Sequence, residues 1–109
     1  MPNPHPTPAF IPVTFSSRAI AEIKAIMQRK AIPEGYGLRI GVRGGGCGVS
    51  YIIGFDKPHA SDLTYTVEDI PVYVDKKHIL FLTGKQVDFY EGEEGRGFTF
   101  VDAPSEIHK

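Results

Sequence analysis

Residues 38–55 read LRIGVRGGGCGVSYIIGF, and the alternation on either side of the glycines decides the fold class. Leu38, Ile40 and Val42 alternate with Arg39, Gly41 and Arg43, the period of two that predicts a half-buried strand. Val49, Tyr51, Ile53 and Phe55 alternate with Ser50, Ile52 and Gly54 in the same way. Between the two strands sits Gly44-Gly45-Gly46-Cys47-Gly48. Glycine loses more conformational freedom on folding than any other residue, so four of them around one cysteine need a reason. The reasons available are a positive φ or close approach of backbone to a bound group, so at least one of these glycines is expected at positive φ.

Working outward, residues 16–30 place Ile20, Ile23, Ile26 and Met27 on one face of a helix, with Ser16 or Ser17 able to cap its first amides. Pro33 and Gly35 end it. On the other side, Asp56 to Asp62 reads as a polar turn, followed by strands at 64–68 and 70–74. Pro71 has no amide to donate, which puts it at a strand start or at an edge. Residues 76–82 are short and apolar behind Asp75, a ready N-cap, and Gly84 closes them. Strands at 86–90 and 97–101 flank Glu91–Arg96 as a hairpin, and their Val87, Phe89, Phe98 and Phe100 are expected to meet the isoleucine face of the helix. The sum is about seven strands, mostly antiparallel, with one longer and one short helix, an α+β fold. Five of the nine prolines stand in residues 1–12, which reads as an extended arm before a domain at 13–105 and a tail at 106–109.

With 109 residues and a net charge of −1, the chain has room for one small domain and lacks the basic stripe of a bulk nucleic-acid binder. No apolar run reaches the length of a membrane span, and no basic segment followed by an apolar one opens the chain, so a cytoplasmic protein off the membrane is expected. The single cysteine cannot form an internal disulfide.

Cys47 is the chief chemical candidate. A free cysteine is most often a buried small hydrophobe, but flanking glycines expose a sulfur and let backbone amides point at it. Arg39 and Arg43, on the face away from the apolar residues, are the charges able to favour its thiolate, the form that binds metal or attacks an electrophile. His5, His59 and His78 are scattered without metal-ligand spacing and read as surface residues. The glycine loop lacks the Gly-Lys-Ser/Thr ending of a phosphate loop. A cysteine hydrolase would need a base beside the thiol, and nothing local places His78 there. No enzyme is expected.

The run Gly37-Leu38-Arg39-Ile40-Gly41-Val42-Arg43, then Gly45-Gly46-Cys47-Gly48 and Ser50-Tyr51, resembles the core of the HesB/IscA-like (A-type) iron–sulfur assembly proteins. Val74-Asp75, Phe81-Leu82-Thr83-Gly84, Val87-Asp88-Phe89 and Gly97-Phe98-Thr99-Phe100 resemble later parts of the same family in order, over residues 13–104. The resemblance implies an α+β domain that self-associates, deals with client or assembly proteins, and carries iron or an iron–sulfur cluster with Cys47 as ligand. The family usually has a Cys-x-Cys pair near its C-terminus, and this sequence has none. Glu93, Glu94, Asp102 and His108 fall near where that pair would arrive, and each reads as an ordinary solvated side chain. One thiolate per chain against the usual four for a cluster leaves two readings: a carrier that binds iron or a nascent cluster weakly through Cys47, and a scaffold or interaction module of the same fold without metal.

Overall fold

The computed structural model describes residues 11–45 and 48–104. Strand β1 (Val13–Phe15) leads into helix α1 (Ser17–Arg29); β2 (Gly37–Gly45) and β3 (Gly48–Asp56) follow, then β4 (Asp62–Val67), β5 (Ile70–Asp75), a 3-10 turn (Lys76–His78) running into α2 (Ile79–Leu82), β6 (Lys85–Gly92) and β7 (Gly95–Asp102). The strands form two sheets, one in the order β1-β6-β7 and one in the order β3-β2-β5-β4. Three of the pairings are antiparallel, while β1 with β6 and β2 with β5 are parallel.

Each element forms where the residues favour it. The Ser16 hydroxyl accepts the Ala19 N–H and so caps α1, satisfying one of the amides a helix start leaves open. That hydroxyl also donates to Asp88 at 2.6 Å, and Ser16 N–H donates to the Val87 carbonyl at 2.9 Å, so the helix start is tied to β6. Pro71 is the second residue of β5, one position before the β2 ladder begins at Leu38 and Val72. Its missing donor therefore costs no bond to β2. The Asp75 carboxylate accepts the Lys77 N–H and starts the 3-10 turn.

One hydrophobic core collects Ile20 and Ile23 of α1, Leu38 and Ile40 of β2, Val72 and Val74 of β5, Leu82 of α2, and Val87 and Phe89 of β6. Met27, Phe98 and Phe100 pack against it from partly buried positions. Contacts of Tyr65 and Tyr51 tie the two sheets together. The buried Tyr65 hydroxyl of β4 donates to the Val13 carbonyl of β1 at 2.9 Å, and the Tyr51 ring of β3 stacks on Phe100 of β7 with centroids 4.7 Å apart. Chain entry and exit meet at Gly84, whose N–H donates to the Pro12 carbonyl and whose carbonyl accepts from Ala103 N–H. The parts of residues 1–12 and 106–109 that lie before Ile11 or after Pro104 fall outside the described residues.

Candidate metal centre

The central hairpin is an unbroken ladder of nine pairs, from Gly37 opposite Asp56 to Gly45 opposite Gly48. Only residues 46 and 47 separate its last pair, and both Gly46 and Cys47 lie outside the described residues. Gly44 has φ +113, and a Cβ there would stand 2.9 Å from the Gly48 carbonyl oxygen. A side chain at this position would be both strained and crowded, so the glycine is required by the tight end of the hairpin. Gly45 closes β2 and Gly48 opens β3.

The two arginines diverge. Arg43 is exposed near the tip, opposite Ser50. Arg39 stands opposite Gly54, six residues back from Gly45, about 20 Å along the strand. Its guanidinium grips Asp62 with both terminal nitrogens, at 2.8 and 2.7 Å, and donates to Asp56 at 2.7 Å and to the Lys57 carbonyl at 2.9 Å. The Asp62 side chain has no exposed surface. Arg39 is thus the clasp of the β3–β4 connection, with four of its five N–H donors taken by two carboxylates and a carbonyl. The Arg39 hydrogen bonds hold the Asp62 carboxyl below the usual carboxylate range against the opposing effect of burial. Asp56 is held low by the Lys57 N–H first and Arg39 second.

Two expectations need correcting. His78 is not a surface residue: it is half-buried, and its Nδ1 is buried without a hydrogen-bond partner. A Cβ on Gly41 would lie 3.0 Å from that nitrogen and 3.4 Å from Ile52. The imidazole of the 3-10 turn therefore closes over the backbone of β2. An isolated glycine inside a strand pattern is the signal of such close approach, and Gly41 carried it. Glu93 and Glu94 occupy the β6–β7 turn, whereas Asp102 ends β7 at the other end of the hairpin, so they cannot serve one place. Of these, Asp102 comes near the central hairpin: it binds Lys85 at 2.9 Å, and the Lys85 ammonium lies 6.0 Å over the Tyr51 ring. His5 and His108 lie outside the described residues, and His59 pairs with Asp56 at 3.4 Å.

Among the described residues no group of three or more His, Cys, Asp or Glu side chains is placed to hold a metal ion.

A family model described as iron–sulphur cluster biosynthesis matches residues 11–104, the span from the strand before α1 to the end of β7. The chain belongs to this iron–sulphur cluster biosynthesis family. A relative named iron-binding protein IscA, from Klebsiella pneumoniae subsp. pneumoniae, is 36% identical over 92 residues, covering 83% of this chain and 84% of its own length. The crystal structure of Escherichia coli SufA, described as involved in biosynthesis of iron–sulfur clusters, is similar with a TM-score of 0.69 at 23% identity over 86% of this chain and 88% of that one. A crystal structure of IscA with a [2Fe–2S] cluster is similar at a TM-score of 0.65 and 24% identity, covering 83% and 81%. These two structures bear out the α+β fold with its seven strands. Among the described residues of this family member, no helix is long and apolar enough to cross a membrane.

Proposed function

We propose that this member of the iron–sulphur cluster biosynthesis family carries iron or a nascent cluster on Cys47 and hands it to a recipient protein. Family membership supports the assembly role, and the relative named as iron-binding supports iron as the cargo. The observation that carries the site is the end of the β2–β3 ladder. A glycine at φ +113 and the pair Gly45–Gly48 bracket the two-residue link that contains the chain's only cysteine. Glycines precede and follow Cys47 in the sequence, so its immediate neighbours add no side chains.

One cysteine per chain sets the chemistry. A [2Fe–2S] cluster takes four protein or outside donors, so holding one requires a second copy of this chain, a small thiol, or the recipient's own cysteines. Such a site binds weakly and releases readily, which suits transfer and assigns no catalytic step to the protein. We take the partners to be a second copy and client or assembly proteins.

Anaerobic addition of ferrous iron and sulfide to the purified protein, read by absorption and metal analysis, tests the proposal. The wild type is expected to take up iron and to elute from a sizing column ahead of the iron-free form, and Cys47→Ser to lose both effects. Equal iron retention by the variant, or no uptake by the wild type, overturns it. The absence of a three-donor group among the described residues favours a second reading, a scaffold of this fold without metal. That reading gains if Cys47 is unreactive towards alkylating reagents in the folded protein and iron changes nothing.

A further inference from the structure

Helix α2 is apolar on every side, its sequence being Ile79-Leu80-Phe81-Leu82. Ile79 packs against the core and Leu82 is wholly buried, whereas Leu80 is 89% and Phe81 52% exposed, the two most exposed large hydrophobics among the described residues. A helix without a polar face is ordinarily covered on both sides, and adjacent exposed apolar side chains rimmed by polar ones mark a contact surface. The sheet sets the position of this pair. β5 pairs with β2 from Leu38 to Ile40, whereas β2 runs on to Gly45. α2 packs along β2, and the His78 imidazole of the preceding turn sits against Gly41. The turn and α2 therefore take the flank of β2 that β5 leaves. Gly41 is about 13 Å along the strand from Gly45, where the link that contains Cys47 begins. The charges around the pair share one sign. Lys76, Lys77 and Arg43 are exposed, and among the described residues none of them enters an ion pair. No acidic residue occurs in residues 38–55 or 76–87. Asp75 accepts from the Lys77 N–H and the Ser61 hydroxyl, and Asp102 is held by Lys85. In a chain of net charge −1, this end is cationic.

We infer that Leu80 and Phe81, with Lys76, Lys77 and Arg43 around them, form the docking face for the recipient of the cargo, a protein that meets it with an apolar patch bordered by carboxylates. The inference deepens the carrier reading and rests on it for the partner's role, while the surface is argued independently. Charge complementarity selects the occupant. A recipient with Asp and Glu around its apolar patch is steered to this end of the molecule, and a basic protein is turned away. Two copies of this chain meeting here about a two-fold axis would set cation against cation. Phe81 and Leu80 supply the dry centre of the contact and the lysines its polar rim. Docking at this face brings the recipient up to the end of β2 from which the cargo leaves.

The probe is a synthetic helical peptide with leucines along one face and glutamates beside them, and its control carries lysines in place of the glutamates. Both are titrated into metal-free, reduced, full-length protein and followed by fluorescence anisotropy. With no iron present, failure here and failure of iron uptake are separate results. The glutamate peptide is expected to bind, less tightly as salt rises, and the lysine peptide about tenfold more weakly or not at all. Leu80→Ser, at a side chain that barely touches the fold, is expected to leave the urea midpoint unchanged and to weaken binding about tenfold. Lys76→Ala combined with Lys77→Ala is expected to flatten the salt dependence. On peptide addition, wild-type amide resonances are expected to shift at residues 76–81 and 43–45. No binding of the glutamate peptide, equal binding of the two peptides, or binding indifferent to Leu80→Ser overturns the inference, as do shifts confined to other residues or a salt dependence untouched by the lysine changes. It is also overturned if Leu80→Ser abolishes self-association of the metal-free protein, or its binding to vesicles of anionic phospholipid, since a second copy or a lipid surface would then hold this face.

Discussion

At the scale of single residues, Arg39 and Asp62 show most clearly how a role follows from partners. A buried carboxylate is tolerable only when paired and fully bonded, and removing one member of such a pair leaves the other uncompensated. Asp62→Asn is therefore expected to cost about 3 kcal/mol near neutral pH. Because the folded-state pKa of Asp62 lies below its unfolded value, this stabilisation is present above the unfolded value and is lost as pH falls through the folded one. Urea unfolding of both proteins is expected to show their difference shrinking as pH drops from about 7 towards about 2; a constant difference would assign the cost to packing alone. Gly44 and the cap at Ser16 were legible in the sequence, because each rests on a property of one residue in a local pattern. The clasp was not. Arg39 read as a charge able to favour the Cys47 thiolate, and nothing local says that carboxylates 17 and 23 residues away return to it. His78 was misread for the same reason, although Gly41 held half of the signal.

At the scale of elements, α1 is stabilised by what it covers. Ile23 has no exposed surface and belongs to the core shared with β2, β5 and β6. Ile23→Ala is expected to cost about 2–5 kcal/mol, with the spread set by how far the site can collapse. A lowered urea midpoint with an unchanged slope is the check, since a changed slope would mean a changed denatured or native ensemble. This helix was readable because its period is local and its cap lies at the start of that period. The strands were readable as strands for a parallel reason. Their partners were not: β1 is three residues long, and its parallel place beside β6 depends on residues more than 70 positions later. Even the mostly antiparallel expectation left unstated which pairs would be parallel, because a period of two is the same in both ladders.

At the scale of the whole molecule, the two sheets are held to one another by few polar contacts, so each is worth testing. Tyr65 is buried, and burial pushes its hydroxyl towards the protonated form. Tyr65→Phe removes that bond and leaves the Val13 carbonyl without its partner, at an expected cost of about 1–3 kcal/mol read as a lowered melting temperature. An unchanged temperature would show that water reaches the carbonyl. The meeting of entry and exit at Gly84 has a mechanical consequence. Val13 and Asp102 both stand opposite Lys85, at the same end of the two strands that flank β6 and about 10 Å apart across the sheet. Tension applied through residues 12 and 103 therefore acts across the strands and not along them. It peels β1 and β7 from β6 one hydrogen bond at a time, where a shearing geometry would load all of them together. A machine that threads this protein from either end would meet a zipper, and would need little force to open it.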